Sequence, residues 1–195
     1  MRVIAGADTH ALPGPGRRIL VGGISGVGKT TLARQLAERL GLPYVEMDAL
    51  YHGPGWQPRA EFTDDVARFA ATPEWVTDSH GYRVVRDLLW SRADTVVWLD
   101  YPRRIVMWRV ITRTWRRRRR REPLFNGNVE GPLWTFFTDR DHIVRWAWTQ
   151  HHHRREDMAR RRNDPAYRHL TVVHLRHPRE AARWLAAVAP PPRHD

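Results

Sequence analysis

The sequence predicts an α/β domain in three layers, a five-stranded parallel sheet flanked by helices. Short apolar stretches rich in β-branched and aromatic residues alternate with longer stretches of helical character, the pattern of strands joined by crossover helices. Pro102, Pro132 and Pro178 each stand where a first helical residue is expected, a position that tolerates proline. A glycine-rich turn at residues 23–30 joins the first of these strands to the first long helix.

Strands are expected at Arg18–Gly22, Tyr44–Met47, Trp75–Asp78, Thr95–Leu99 and Leu170–Leu175, short and apolar as befits strands covered on both faces. Helices are expected over Lys29–Leu40, Arg59–Ala71, Tyr82–Trp90, Pro102–Trp115, Pro132–Arg162 and Pro178–Val188. The domain therefore spans residues 18–188. Residues 1–17, rich in Gly, Pro and Ala, read as a flexible arm, and residues 189–195 as a flexible tail. Residues 115–131 break the alternation, with the arginine block Arg116–Arg121 followed by Asn126, Gly127, Asn128 and Gly131, and read as a lid-like excursion.

The chain has 195 residues, of which 42% are hydrophobic and 28% charged, so it can bury a core. Its net charge is +12, and of the 33 basic residues only Lys29 is lysine. A basic surplus suits acidic partners, nucleotides and nucleic acids alike; an arginine-rich composition bias gives the same charge without such a partner. Without cysteine there is neither a disulfide framework nor a thiolate metal site. No apolar run approaches the ~20 residues of a membrane span, and no apolar N-terminal segment reads as a signal peptide, so the cytoplasm is the expected location.

Gly23-Ile24-Ser25-Gly26-Val27-Gly28-Lys29-Thr30 satisfies the phosphate-loop pattern G-x-x-x-x-G-K-[ST], between strand and helix as that motif requires. Its glycines let backbone N–H groups turn inward around phosphates, and the helix N-terminus adds a positive dipole end. Gly23, Ser25, Gly26, Val27, Gly28, Lys29, Thr30 and Thr31 are the expected ATP contacts. Lys29 is expected to reach the β- and γ-phosphates and the Thr30 hydroxyl to ligate Mg²⁺. The only lysine falls on the one motif position that demands lysine. It also leaves none for the Asn-Lys-x-Asp motif by which GTPases read guanine.

Asp100-Tyr101-Pro102, then Arg109 nine residues after the aspartate and Arg113 four later, resembles the strand–helix segment of adenylate kinases. The resemblance implies that Arg109 stacks on adenine and Arg113 clamps phosphates. The segments GISGVGKTTLARQLAERLGLPYVEMDALYHGPGW, RDLLW, RADTVVWLDYPR, FNGN and LRHPREAARWL resemble adenylate-kinase-related P-loop proteins called DNA topology modulation proteins; shikimate and gluconate kinases share the plan. The resemblance implies a P-loop NTPase sheet of order 2-3-1-4-5, counted from Arg18–Gly22. It implies that Asp78 holds Mg²⁺ beside Thr30, although VVWLD makes Asp100 the rival by pattern. It also places His177, after the last strand, where relatives hold adenine by backbone contacts.

Asp48 is expected to end the second strand, and open α/β sheets bind ligands beyond the carboxyl ends of their strands, so its carboxylate suits a role on an acceptor hydroxyl; a cap or loop-ordering role is the alternative. Adenylate kinases have Asp-Gly-Phe-Pro-Arg where this chain has Asp78-Ser79-His80-Gly81-Tyr82-Arg83, leaving Arg83 or Arg86 for an acidic acceptor. Arg140 and Arg145 lie on the helix after the lid. His151, His152 and His153 cannot converge on one ion, since neighbours on a helix point about 100° apart. The tryptophans at 75, 90, 98, 108, 146, 148 and 184 are expected mostly in the core, with Trp56, Tyr51 and His52 walling an acceptor pocket or simply packing. Lys29, Asp48, Asp78 and Arg113 are the expected catalytic residues, and Thr30 and Asp78 the metal ligands. The whole reads as ATP-dependent phosphotransfer to a small acceptor, first a nucleoside monophosphate. An ATP-gated nucleic-acid-binding regulator is the alternative.

Overall fold

The computed structural model describes residues 2–5, 15–79, 82–120 and 143–188. Among them a parallel sheet runs in the order β1-β6-β5-β2-β4-β3. The strands are β1 (Arg2–Ala5), β2 (Arg18–Gly23), β3 (Tyr44–Glu46), β4 (Trp75–Ser79), β5 (Thr95–Leu99) and β6 (Thr171–Leu175). From β3 to β6 this is the expected 2-3-1-4-5 order. The sixth strand is a correction. Arg2–Ala5, expected in a loose arm, lies parallel to β6 with Arg2 level with Thr171. The arm's Gly and Pro content hid the Val3-Ile4 pair, and the open edge of β6 offers backbone groups that need partners.

Alternation along the strands sets the layers. Ile19 and Val21 of β2 face one side, with α1 (Lys29–Leu40), α5 (Arg103–Arg120) and α7 (Pro178–Ala187), where Leu36, Val106, Val110 and Trp184 are buried. Leu20 faces the other, with α2 (Met47–Tyr51), α3 (Phe62–Ala70) and α4 (Arg83–Arg92), where Met47, Phe62, Val66 and Leu89 are buried. Each such side chain contributes roughly 1.5–3 kcal/mol relative to exposure. α6 (Ile143–Asn163) packs on α5.

Several element bounds differ from expectation, among them the start of α3 at Phe62 rather than Arg59. Asp48 does not end a strand, because Met47–Tyr51 is a short helix with Asp48 in its first turn. α5 does not stop at Trp115 but continues through Arg120. Arginine is a good helix former, so the block extends the helix before any excursion begins. Residues 121–142, with Arg121, the rest of the expected lid and Arg140, lie outside the described residues, as do His80, Gly81, the tail 189–195, and the side chains of Arg145 and Trp146.

Candidate nucleotide and acceptor site

The loop after β2 is shaped by its glycines. Gly26 (φ 79°) and Gly28 (φ 106°) occupy left-handed backbone that side chains rarely adopt. A Cβ on Gly26 would sit 2.1 Å from Cγ2 of Val110 on α5, so that approach allows no side chain. Gly28 caps α1 without a side-chain hydrogen bond, and the first turn of α1 carries no acidic residue. The α1 N–H groups at Lys29, Thr30 and Thr31 therefore stand at a helix end suited to an anion. Ser25 and Val27 are buried, Thr31 is exposed, and Gly23 leaves β2 beside Leu99.

Lys29 is buried and its Nζ donates to the Ile24 carbonyl at 3.0 Å. Its pKa is lowered to about 8, first by burial. Asp78 and Asp48 pull it up, whereas Arg113 and Arg154 push it down. Arg113, half-buried on α5, is thus electrostatically coupled to Lys29 as Arg154 on α6 is. One turn before Arg113, Arg109 donates from Nη1 to the Val27 carbonyl at 2.7 Å, its guanidinium 5.4 Å from the Tyr101 ring centre.

Asp78 lies on β4 level with Val21 of β2 and Glu46 of β3. It is buried, accepting the Thr30 hydroxyl at 2.5 Å and the Met47 N–H at 3.3 Å. Asp100, its rival, is also buried but turned to other partners. His174 Nε2 lies 3.0 Å from Asp100 Oδ2 and Arg155 Nε 2.6 Å from Oδ1, while Trp98 stacks on His174 at 4.0 Å. Burial opposes ionisation there, but the His174 and Arg155 hydrogen bonds win and hold the carboxyl below its ordinary value.

Thr30 and Asp78 suit Mg²⁺: both offer hard oxygen donors, they meet beside the phosphate loop, and Mg²⁺ needs few protein ligands when phosphates supply the rest. Among the described residues no group of three or more His, Cys, Asp or Glu could hold a metal without such help.

Asp48 is half-buried and accepts the Tyr82 hydroxyl at 2.7 Å; burial and then Asp48 raise the Tyr82 pKa. Tyr51 lies against Tyr82, Phe62 and His52, and His52 against Trp56. Arg83 and Arg86 both act on Arg154, whose pKa burial lowers first and their like charge next. Arg86 is also paired with Asp157. Arg154 lines a cleft with Gly23, Ile24 and His151.

His177 caps α7: its Nδ1 accepts from the Arg179 N–H at 3.2 Å and its carbonyl from the Glu180 N–H at 3.0 Å. The histidine run diverges, with His151 buried against the Tyr101 carbonyl and His152 and His153 exposed. Trp75, Trp90, Trp98 and Trp184 are in the core, but Trp108 is 71% exposed and Trp148 53%. The buried face of α5 runs Val106, Val110, Thr114, and Trp108 lies two residues off that line, about 200° around the helix. Sequence reading also missed Tyr82, Tyr101 and Arg154. Arginine is too abundant here for one to stand out, and the tyrosines gain meaning only through Asp48 and Arg109.

The chain resembles known proteins in part. The family described as ATPase family associated with various cellular activities (AAA) matches residues 19–72. A cytidylate kinase of Oleidesulfovibrio alaskensis is 39% identical over 59 residues, 26% of this chain and 27% of that protein. A bifunctional pantoate ligase/cytidylate kinase of Gloeobacter violaceus is 44% identical over 86 residues, 42% of this chain and 15% of that one. The match thus spans about a quarter or less of these curated relatives. A shikimate kinase structure from Bacteroides thetaiotaomicron superposes with a TM-score of 0.51 at 15% identity, over 87% of this chain and 94% of that one. A putative kinase from Chloroflexus aurantiacus superposes with 0.51 at 18%, over 90% and 97%. The fold is therefore the three-layer α/β fold of P-loop kinases.

Proposed function

We propose that this chain is an ATP-dependent phosphotransferase that passes the γ-phosphate of Mg-ATP to a small acceptor, in the first instance a nucleoside monophosphate. The observation that carries the reading is the convergence, beyond the carboxyl ends of β2, β3 and β4, of the buried Lys29 ammonium, the Thr30–Asp78 contact and Asp48. The partial likeness to cytidylate kinases supports the acceptor class.

The phosphate loop and the α1 N-terminus bind the triphosphate, with Lys29 on the β- and γ-phosphates. Arg109, placed by the Val27 carbonyl and the Tyr101 ring, packs on adenine, and the start of α7 at His177 borders it, since Glu180 there acts on Tyr101. Thr30 and Asp78 hold Mg²⁺, which neutralises phosphate charge. Asp48, oriented by the Tyr82 hydroxyl, positions the acceptor's attacking oxygen and takes its proton where it carries one. Arg113 and Arg154 stabilise charge on the transferred group. A metabolite panel with Mg-ATP should show transfer to one acceptor class, and Lys29→Ala should abolish it with the fold intact. Undiminished transfer by that variant dismisses the reading.

A second reading, nucleic-acid binding, is favoured by α5. Trp108, Ile111 and Trp115 are exposed between arginines, and the helix has no acidic residue. Aromatic rings interleaved with arginine suit single-stranded nucleic acid. Binding that responds to ATP and is lost in Trp108→Ala/Trp115→Ala supports it; binding indifferent to both rejects it. In either reading the chain acts in solution, in the cytoplasm; no helix among the described residues is long and apolar enough to cross a membrane.

A further inference from the structure

Among the described residues Trp56 is the non-glycine residue with positive φ, at 62°, directly after Gly55 at 65°. A bulky side chain in left-handed backbone is an outlier that persists where its surroundings impose it, and such outliers cluster at ligand sites. Here the surroundings are a stapled turn. The Gly53 N–H donates to the Gln57 carbonyl at 2.7 Å, and His52 bridges Pro58. Below the turn, the Arg59 N–H donates to the Tyr51 carbonyl at 2.9 Å, and the Arg59 side chain pairs with Asp65 at 3.2 Å. The turn holds its indole 39% exposed, out of the core, at the outer end of a row of rings. Trp56 meets His52 at 5.1 Å, His52 meets Tyr51 at 4.9 Å, and Tyr51 meets Tyr82 at 4.3 Å. Tyr82 carries the hydroxyl that orients Asp48.

The row starts at the reacting end of the site and finishes two ring contacts beyond Tyr51. A polyol or small hydroxy acid seated at Asp48 reaches Tyr82 or Tyr51 and leaves Trp56 without a ligand. An acceptor that uses the whole row is elongated, reactive at one end and flat at the other. Near that end Arg154 acts on Lys29 as Asp48 does, a cation that suits an anionic group there, whereas Arg86 is already paired with Asp157.

We propose that the Trp56 indole, backed by His52, is the platform for a planar base at the far end of the acceptor, so that this site selects a nucleoside monophosphate over polyols and hydroxy acids. The assignment rests on the phosphotransfer reading for its chemistry but not for its test, which is equilibrium binding.

Titration calorimetry of AMP, CMP, UMP, gluconate and shikimate compares the full wild-type chain with Trp56→Gly and Trp56→Phe. Glycine accepts the left-handed backbone, so the turn is retained. Binding of at least one nucleoside monophosphate is expected, weakened about tenfold or more in Trp56→Gly and within about threefold of wild type in Trp56→Phe, as loss and retention of one stacked ring dictate. Mg-ATP affinity should be unchanged in both variants. Equal binding by Trp56→Gly overturns the proposal, as does a panel in which gluconate or shikimate binds and no nucleotide does, or in which nothing binds. Lys29-dependent phosphorylation of gluconate would sink the platform and leave phosphotransfer standing. Trp56-dependent nucleotide binding without any transfer would do the reverse.

Discussion

Lys29 stands in ligand-free protein as a cation whose burial lowers its pKa from 10.5 to about 8. At 1.36 kcal/mol per unit, that depression means that the charged form costs the ligand-free fold about 3 kcal/mol near neutral pH. The unfolded chain holds this proton up to about pH 10.5, whereas the folded chain releases it near pH 8. Between those values the unfolded state binds more protons, so stability rises with pH there; the cost is fully present below pH 8. Lys29→Met removes the charge with little change in length. Urea unfolding without nucleotide should therefore show the variant's stability relative to wild type falling by about 2–3 kcal/mol between pH 7 and pH 10. Comparing the two proteins cancels the tyrosines and arginines common to both. Saturating Mg-ATP at pH 7 should reverse the order, because phosphate oxygens compensate the ammonium and Met offers them nothing. A difference that does not vary with pH would refute the claim that Lys29 is held desolvated for an anion to complete.

Asp78 and Asp100 are to be told apart by opposite phenotypes. Asp78→Asn should lower kcat by about a hundredfold or more and raise the Mg²⁺ requirement. Asp100→Asn should instead cost about 1.5–3 kcal/mol of stability by replacing the charged acceptor of buried His174 with a neutral one, with the more exposed Arg155 adding little. Wild type should lose this pairing as pH falls through the depressed Asp100 value, a dependence absent from Asp100→Asn in acid unfolding. A raised Mg²⁺ requirement in Asp100→Asn would exchange the two roles. Arg109→Ala should raise KM for ATP about tenfold with kcat little changed, as loss of a stacked cation does; unchanged KM would remove Arg109 from the nucleotide site.

Most of the frame could be read in one dimension. β2, the glycine turn and α1 are contiguous, so their pattern and their geometry are nearly the same information. α1 begins and ends where expected, at Lys29 and Leu40, and β5 at Thr95 and Leu99. Arg109 and Arg113 stood out only through the resemblance of residues 100–113 to the strand–helix segment of adenylate kinases, since arginine is too abundant here for spacing to single them out. The misses share a cause. β1 forms because β6 offers an edge, and Trp108 is exposed because Val106 and Val110 claim the buried face of α5, neither of which a local window contains. Asp78 and Asp100 look alike in sequence, each an aspartate at the end of an apolar strand. Only their neighbours separate them, Thr30 for one and His174 with Arg155 for the other.

The amino-acid order alone determined that this chain carries a glycine turn of the phosphate-loop pattern between a strand and a helix of an α/β sheet, because glycine conformations within a dozen residues decide that. Tertiary structure decided which carboxylate meets Thr30, which of many arginines act on Lys29, and that a strained tryptophan ends a row of rings running to Asp48. Those are matters of distance between residues far apart in the chain, set by the stacking of strands and helices.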